Sequence, residues 1–167
     1  MTEPSFNPLC NILIRDFKIS DSQKIIELYQ NTVHKINIRD YTQKQINAWA
    51  PLKPDRDTVS KILKADFTFV AELNNEIIGF SQLDFDGHIG CFYCHHNFQR
   101  MKIGSALMNK IENTAKELKI RRLYSEVSIT ALPFFEKHGF VTLKKQQVKR
   151  FGVLIPNSIM EKILRLS

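Results

Sequence analysis

A basic turn between a strand pattern and a helix pattern is the segment of this sequence best suited to chemistry. The run from Cys94 to Leu107 reads CHHNFQRMKIGSAL, and Arg100 and Lys102 stand directly before the helix pattern. The first turn of a helix has backbone N–H groups without partners and carries the positive end of the macrodipole, so anionic oxygens are favoured there. The sequence therefore predicts a phosphate-binding turn.

A second candidate for chemistry overlaps the same turn. The run Cys91 to His95 matches C-x-x-C-H, the sequence that attaches c-type haem, and its cysteines and histidine are ligand types used by zinc. We expect neither haem nor a metal, because residues three apart on a strand point to opposite faces. The chain also lacks the export signal that accompanies haem attachment of this kind.

The elements around the basic turn follow a strand, helix, strand, helix order. Apolar residues at helical spacing run from Ile103 to Leu118, about four turns. A strand from Ile89 to Cys94 precedes the turn, and a strand from Leu123 to Ser128 follows the helix. A short helix around Pro133 to His138 is closed by Gly139.

The rest of the chain places further elements on both sides of that unit. We expect a strand at Ile12 to Phe17 and then a helix capped by Ser20 and Asp21. A second helix begins at Thr42, with Gln45 in a capping box, and ends before Pro51, and a third covers Asp57 to Leu63. The predicted strands that follow are Phe67 to Leu73 and Glu76 to Asp84, which the turn Asn74-Asn75 joins, and, at the end of the chain, Val141 to Val148 and Ser158 to Leu164. This order predicts an α/β fold in which helices cover a mixed sheet.

Length and composition indicate one ordinary globular domain, residues 1–167. Hydrophobic residues make up 43% of the chain and charged residues 25%. No apolar run is long enough to span a bilayer and the first residues do not resemble a signal peptide, so we expect a cytoplasmic protein that does not bind membranes. Three cysteines cannot all pair within the chain, and we expect reduced thiols.

A net charge of +7 favours anionic partners such as a polyphosphorylated cofactor, a nucleic acid or a membrane surface. The densest basic clusters, Lys116 to Arg122 and Lys144 to Arg150, are interrupted by apolar residues. A solvated face of a helix or strand explains each of them better than a nucleic-acid footprint.

Three segments carry a resemblance to a known family. Gln99 to Gly104 resembles the Q/R-x-x-G-x-G/A pyrophosphate loop of the GNAT superfamily of N-acetyltransferases. Ser128 to Phe140 is similar to the strand and helix of that superfamily that end in Tyr-x-K-x-Gly-Phe. Tyr41 to Pro51 resembles an N-terminal signature of a bacterial GNAT subgroup, Tyr-Thr-x-x-Gln-Ile-x-Ala-Trp. The similarity runs in order over nearly the whole chain.

The resemblance implies a mixed, mostly antiparallel central sheet of about six to seven strands, with a splayed strand pair that holds the cofactor. It implies acetyl-CoA as donor, a small-molecule or peptide primary amine as acceptor, and direct attack in a ternary complex. Backbone groups near Tyr93 and Cys94 would pair with the pantetheine arm. The residues implied in cofactor binding are Tyr93, Cys94, Gln99, Arg100, Met101, Lys102, Ile103, Gly104, Ser105, Ser128, Phe134 and Phe135.

The family also forms homodimers through its C-terminal strands. In this chain Phe151, Val153, Leu154 and Ile155 would supply an apolar interface, or they belong to the core.

Two residues depart from the family pattern. Lys102 replaces the first glycine of the loop. If this position needs a positive φ, the lysine side chain clashes; if it does not, the side chain can bind phosphate. We favour phosphate binding. Phe135 stands where many relatives have the tyrosine that protonates the departing CoA thiolate, and a phenyl ring donates no proton. Loss of one general acid slows transfer by ~10²-fold or more without abolishing it.

Two side chains are candidates for the general base that deprotonates the amine. Glu126 shares a strand face with Tyr124 and Ser128, and burial there would raise its pKa; alternatively it pairs with a nearby lysine or arginine. His95 titrates near neutrality at the strand end, although a histidine in a surface turn is commonly just solvated. Asp84, Asp86 and Glu126 form the acidic patch that a cationic acceptor needs.

Three functions follow in order of support. The first is an acetyl-CoA-dependent N-acetyltransferase, and the second is a CoA-binding module in which Phe135 marks lost or slow catalysis. The third is a nucleic-acid-binding domain, which charge alone suggests.

Overall fold

The computed structural model describes residues 11–167 and contains seven strands and five α-helices within that range. The elements are β1 (Leu13–Asp16), α1 (Ser22–Lys35), α2 (Gln43–Trp49), α3 (Arg56–Leu63), β2 (Phe67–Leu73), β3 (Glu76–Leu83), β4 (Phe92–Cys94), α4 (Ile103–Glu117), β5 (Arg122–Ser128), α5 (Leu132–Lys137), β6 (Val141–Arg150) and β7 (Val153–Ile163).

The seven strands form two antiparallel sheets. One sheet has the order β1-β2-β3-β4 and the other β5-β7-β6. The prediction of a single sheet of six to seven strands was therefore wrong in its connectivity. Pairing between β4 and β5 is reduced to one parallel bridge, His88 with Tyr124, so the sheet divides at that point.

Local sequence explains how several elements begin and end. Thr42 caps α2 by accepting from the Gln45 backbone N–H at 3.2 Å, and the Gln45 side chain accepts from the Thr42 N–H at 2.9 Å, which confirms the capping box. Asn74 and Asn75 adopt φ of 50° and 64°, the positive values that a tight hairpin turn requires.

Two strand boundaries differ from the predictions. The strand expected at Ile89 to Cys94 is reduced to Phe92–Cys94, because the segment before it turns to meet β5 at His88. The last strand begins at Val153 rather than Ser158, because Val153 to Asn157 pair with β6 across a tight turn at Phe151 and Gly152.

Two hydrophobic cores cover the two faces of the sheets. Helix α4 contributes five fully buried side chains to a core that also contains Leu123 and Met160, so this helix packs against both sheets. Burying each large aliphatic side chain contributes about 1.5–3 kcal/mol. Helices α1 and α2 cover the other face.

The C-terminal apolar residues are divided between core and surface. Ile155 is buried in the second core, whereas Phe151 and Leu154 are 70% and 53% exposed. No helix within residues 11–167 is both long and apolar enough to cross a membrane.

Candidate functional site

A gap between β4 and β5 is the centre of the candidate site. The two segments are joined where Ile89 N–H donates to Tyr124 O at 2.8 Å and Tyr124 N–H donates to Gly87 O at 3.0 Å. Beyond this bridge, β4 and β5 are edge strands of different sheets. Edge strands present backbone N–H and C=O groups without ladder partners, so the gap can pair with an extended polar ligand.

The strand register decides which backbone groups face the gap. His95 N–H donates to Ile78 O at 2.8 Å and Gln82 N–H donates to Cys91 O at 2.9 Å. In an antiparallel ladder these bonds alternate by two residues, so the backbone of Tyr93 is directed toward β3 and that of Cys94 toward the gap. The backbone N–H of Cys94 is therefore better placed than that of Tyr93 to meet a ligand in the gap, and ligand binding by either residue stays a prediction.

Gln99 has a structural role in the loop that follows β4. Its side-chain amide donates to Cys94 O at 3.0 Å and to His95 O at 3.3 Å. Thr32 Oγ1 also donates to Cys94 O, at 2.9 Å. These bonds fix the end of β4 against the basic turn.

The basic turn leads directly into α4. The helix has 15 residues and begins at Ile103, and its first intrahelical bond runs from Ala106 N–H to Lys102 O. The N–H groups of Ile103, Gly104 and Ser105 lie before that bond, in the first turn where an anion is favoured.

Two cations of this turn adopt left-handed backbone conformations. The φ angles are 65° at Arg100 and 60° at Lys102, and both side chains are exposed. The expectation of an ordinary φ at Lys102 was wrong, and its side chain lies in solvent; phosphate binding by Lys102 stays a prediction. Such a conformation costs a residue other than glycine about 1–2 kcal/mol.

Gly104 allows close contact between α4 and α5. A Cβ at this position would lie 2.9 Å from the Phe134 ring. Ser105 Oγ lies 3.2 Å from His138 Nε2, and the ring of Phe134 packs on His138 with centroids 4.5 Å apart. Gly104 is therefore required for packing between helices, a role that the phosphate-loop interpretation did not include.

Phe135 is a core residue. It is 3% exposed and its ring packs edge-on against Phe92, Phe134 and Phe140. Of the two phenylalanines predicted beside the thioester, Phe134 alone is partly exposed.

A cleft of about 960 Å³ lies next to the gap. Tyr41 and Trp49 line one wall, and His88, Tyr93 and Glu126 line others. This volume lies within the range of small-molecule sites, roughly 300–1,000 Å³. The cleft therefore has room for a second substrate.

His88 joins two carboxylates at the edge of this cleft. Its Nε2 lies 2.6 Å from Glu126 Oε2, and its Nδ1 lies 3.5 Å from Asp84 Oδ2. The hydrogen bond to Glu126 raises the pKa of His88 above its ordinary 6.5, and the same bond lowers the pKa of Glu126. The prediction of a raised Glu126 pKa was wrong, and its partner is a histidine rather than a lysine or arginine.

The sequence interpretation missed His88. Its four-residue spacing from Asp84 is a weak signal, and its main partner lies 38 residues further along the chain. Asp86, which we grouped with the acceptor patch, accepts from Tyr124 OH at 2.5 Å and from His88 N–H at 2.9 Å. These two hydrogen bonds of Asp86 therefore stabilise the turn that contains His88.

The other candidate base lies elsewhere. His95 Nδ1 accepts from Asn97 N–H at 3.1 Å, and its ring stacks on His96 with centroids 4.3 Å apart. His96 Nε2 lies 3.1 Å from Lys35 Nζ. His95 does not line the cleft, so the structure does not bring it together with Glu126.

Ser128 closes the turn after β5. Its Oγ accepts from Ala131 N–H at 3.1 Å, and Asn37 Nδ2 lies 3.5 Å away. Tyr41 OH accepts from Ile129 N–H at 2.9 Å and donates to Pro156 O at 2.7 Å. The hydroxyls of Ser128 and Tyr41 thus hold the end of β5 in place.

The two cysteines of the C-x-x-C-H run pack into different cores. Cys91 lies against the core beneath α1 and α2, and Cys94 against the core of α4. Burial raises the pKa of each thiol to about 12. Among residues 11–167, no three or more His, Cys, Asp or Glu side chains are arranged to hold a metal ion.

Comparisons with known proteins agree with this geometry. The family model described as an acetyltransferase (GNAT) domain matches residues 37–162. The uncharacterized N-acetyltransferase YafP of Escherichia coli is 30% identical over 150 residues, which cover 90% of this chain and 95% of YafP.

Solved structures share the fold. A GCN5-related N-acetyltransferase from Rhodopseudomonas palustris superposes with a TM-score of 0.86 at 25% identity, over 92% of this chain and 96% of that one. The PaiA N-acetyltransferase of Thermoplasma acidophilum, solved in complex with coenzyme A, gives 0.72 at 21% identity, over 92% and 99% of the two chains.

Proposed function

Because the chain belongs to the GNAT family of N-acetyltransferases, we propose that it binds acetyl-CoA between β4 and β5 and transfers the acetyl group directly to an amine in the adjoining cleft. The single observation that carries this proposal is the continuity of three parts: the gap, the start of α4 at one end of it, and the cleft at its side. The Thermoplasma relative that binds coenzyme A has the same fold, which supports this placement.

The donor is held by backbone and charge in this proposal. The backbone N–H of Cys94 donates to a pantetheine carbonyl, since the Cys94 carbonyl already accepts from Gln99 and Thr32. The first-turn N–H groups of α4 receive the pyrophosphate, with Arg100 and Lys102 adding positive charge beside it. The Phe134 ring lies at the junction of α4 and α5, next to the thioester end.

The acceptor enters the cleft as an ammonium ion. The carboxylates of Asp84 and Glu126 favour its binding there. His88 takes one proton from the ammonium ion, because its pKa is raised toward that of an amine whereas that of Glu126 is lowered. The neutral amine then attacks the thioester carbonyl carbon, so that a C–N bond forms and the C–S bond breaks, and the nitrogen loses its second proton to water. Glu126 orients the imidazole.

The departing thiolate takes its proton from water in this scheme. Phe135 has no acidic proton to donate and is buried among three other phenylalanine rings. A CoA thiolate is a fairly good leaving group, so absence of one general acid costs ~10²-fold or more and leaves transfer possible. A catalytically silent CoA-binding module stays the alternative, and turnover with an amine distinguishes the two.

We also infer membership of the bacterial subgroup with the Tyr-Thr-x-x-Gln-Ile-x-Ala-Trp signature. Four of its residues have defined contacts in this fold. Thr42 and Gln45 cap α2, and the Tyr41 ring packs edge-on against Trp49 with centroids 5.2 Å apart in the cleft wall.

A homodimer through the C-terminal strands is a further proposal. Phe151 and Leu154 are exposed and available for an interface, whereas Ile155 is committed to the core. Light scattering on the purified protein tests it, since a monomer at assay concentrations would contradict it.

Two-substrate kinetics test the proposed function. Initial rates of CoA release are measured over a grid of acetyl-CoA and amine concentrations. Direct transfer predicts intersecting double-reciprocal lines, because both substrates are bound together. Parallel lines, which indicate an acetyl-enzyme, or no release above hydrolysis with any amine would contradict the proposal.

A further inference from the structure

Arg150 is a half-buried arginine without a carboxylate partner. It ends β6 and lines the cleft, and its Nη1 donates to Trp49 O at 3.3 Å. Among residues 11–167 no Asp or Glu oxygen lies within 4 Å of its guanidinium. Arg15, which is similarly buried, pairs with both Asp21 and Glu72.

The group that Arg150 contacts is a polar, uncharged carbonyl. Tyr29 OH donates to the same Trp49 carbonyl at 2.6 Å, which fixes the position of that acceptor. Burial raises the pKa of Tyr29 and of Cys91 further above their usual values, so neither supplies a negative charge. A guanidinium that is partly removed from water without a bound anion has a desolvation free energy that no ion pair offsets. Its planar pair of N–H donors matches the geometry of an oxyanion.

The strand register sets the distance between Arg150 and the acidic end of the cleft. Arg150 pairs with Val153 of β7, and Glu126 pairs with Ile159 of the same strand. Six residues of β7 therefore separate the two positions along the strands, about 20 Å at 3.4 Å per residue, and β5 and β6 flank β7, which adds two strand spacings of about 4.8 Å. The reach of both side chains shortens this distance. An α-amino acid is too short to touch both.

We propose, on the premise of acetyl transfer in this cleft, that the acceptor is an elongated molecule with an oxyanion that Arg150 binds while its amine lies at Asp84 and Glu126. The oxyanion is a carboxylate or a phosphoryl group, since the guanidinium fork fits either. The cleft selects acceptors by this group at one end and by the ammonium ion at the other.

The test compares acceptors that differ in the remote group alone. A series of ω-amino acids of increasing chain length is assayed against the matching ω-amino amides and ω-aminoalkyl phosphonates, with kcat/KM for acetylation as the readout. We expect the anionic compounds to exceed the amides by about tenfold or more at the best chain length. The preferred anion distinguishes a carboxylate from a phosphoryl group.

Three variants locate the effect. Arg150→Gln should remove the preference, Arg150→Lys should restore part of it, and Lys145→Gln should leave it intact. Lys145 lies on the same strand, is exposed and does not line the cleft, so it matches the change in charge. Thermal melting of each variant checks folding.

The outcomes separate this inference from the proposed function. Equal acetylation of acids and amides, or a preference that persists in Arg150→Gln, would overturn the inference while acetyl transfer stands. Acetylation of other amines without any turnover of the ω-amino series would also overturn it. Failure of the proposed function itself is seen separately, as absence of acetyl-CoA binding in the same preparations.

Discussion

At the scale of single residues, the contact between His88 and Glu126 decides which of the two we propose as the base. Glu126 is half-exposed, and its contact with His88 lowers its pKa instead of raising it. The same contact raises the pKa of His88. Stabilisation from the raised His88 pKa is fully present below 6.5, its unfolded value, and is lost as the pH rises through the folded pKa.

The same shift predicts the pH dependence of catalysis. kcat should rise with pH as His88 loses its proton, with a midpoint above 6.5. Glu126→Gln removes the group that raises the His88 pKa, so the midpoint should move to lower pH and the plateau should fall. The check is a kcat profile for wild type, Glu126→Gln and the control Glu117→Gln, an exposed residue at the end of α4. A lower plateau with an unmoved midpoint would contradict the role of His88.

Substitutions at Lys102 distinguish the effect of backbone strain on stability from the effect of side-chain charge on acetyl-CoA binding. Lys102→Gly relieves about 1–2 kcal/mol of left-handed strain but loses about 0.5–1 kcal/mol to chain entropy, so stability should hold or rise slightly. Acetyl-CoA affinity should fall by about tenfold with the lost charge, and Lys102→Ala should bind as weakly. Urea denaturation and calorimetry measure the two effects. Tighter binding by Lys102→Gly would mean that the charge contributes nothing.

At the scale of elements, helices and tight turns were predicted well because their signals are local. The capping box of α2 and the Asn74-Asn75 turn each lie within a few residues of sequence. The division into two sheets was not predictable, because it depends on an encounter between His88 and Tyr124, 36 residues apart. A separation of 38 residues likewise hid the His88–Glu126 pair, while the basic turn before α4, a local motif, was predicted where the structure has it.

The contact between α4 and α5 gives an element-level prediction. Gly104→Ala places a methyl group 2.9 Å from the Phe134 ring, and such overpacking costs about 1–3 kcal/mol. Because Gly104 lies in the first turn of α4, where the pyrophosphate is proposed to bind, acetyl-CoA affinity should fall as well. Denaturant unfolding of Gly104→Ala is compared with Gly90→Ala, whose added Cβ meets nothing closer than 3.6 Å. Equal stability of the two variants would refute this packing role.

At the scale of the whole molecule, helices on both faces and one bridge hold the two half-sheets together within residues 11–167. Helix α4 packs on both sheets from one face, the core beneath α1 and α2 joins Phe80 of one sheet to Ile155 of the other, and the described strands β4 and β5 meet around His88. A donor lying between these strands would touch both sheets and the start of α4. Its binding should therefore stabilise the entire fold, by about 2.7 kcal/mol at a hundredfold excess over Kd.

The distribution of the net charge of +7 over the molecule differs between the general surface and the candidate site. Most basic residues are spread over exposed surfaces, whereas Arg100 and Lys102 stand at the start of α4 and Arg150 in the cleft. Positive charge is thus placed where a polyphosphorylated donor and an anionic acceptor are expected to bind. A nucleic-acid footprint is not needed to explain it.

Calorimetric titration with acetyl-CoA tests the central claim most directly. Wild type should bind at micromolar strength, and Arg100→Ala should bind about tenfold more weakly. Lys116→Ala, an exposed lysine near the opposite end of α4, should bind like wild type. Absence of binding by wild type, or equal affinity in Arg100→Ala, would contradict a phosphate site at the start of α4.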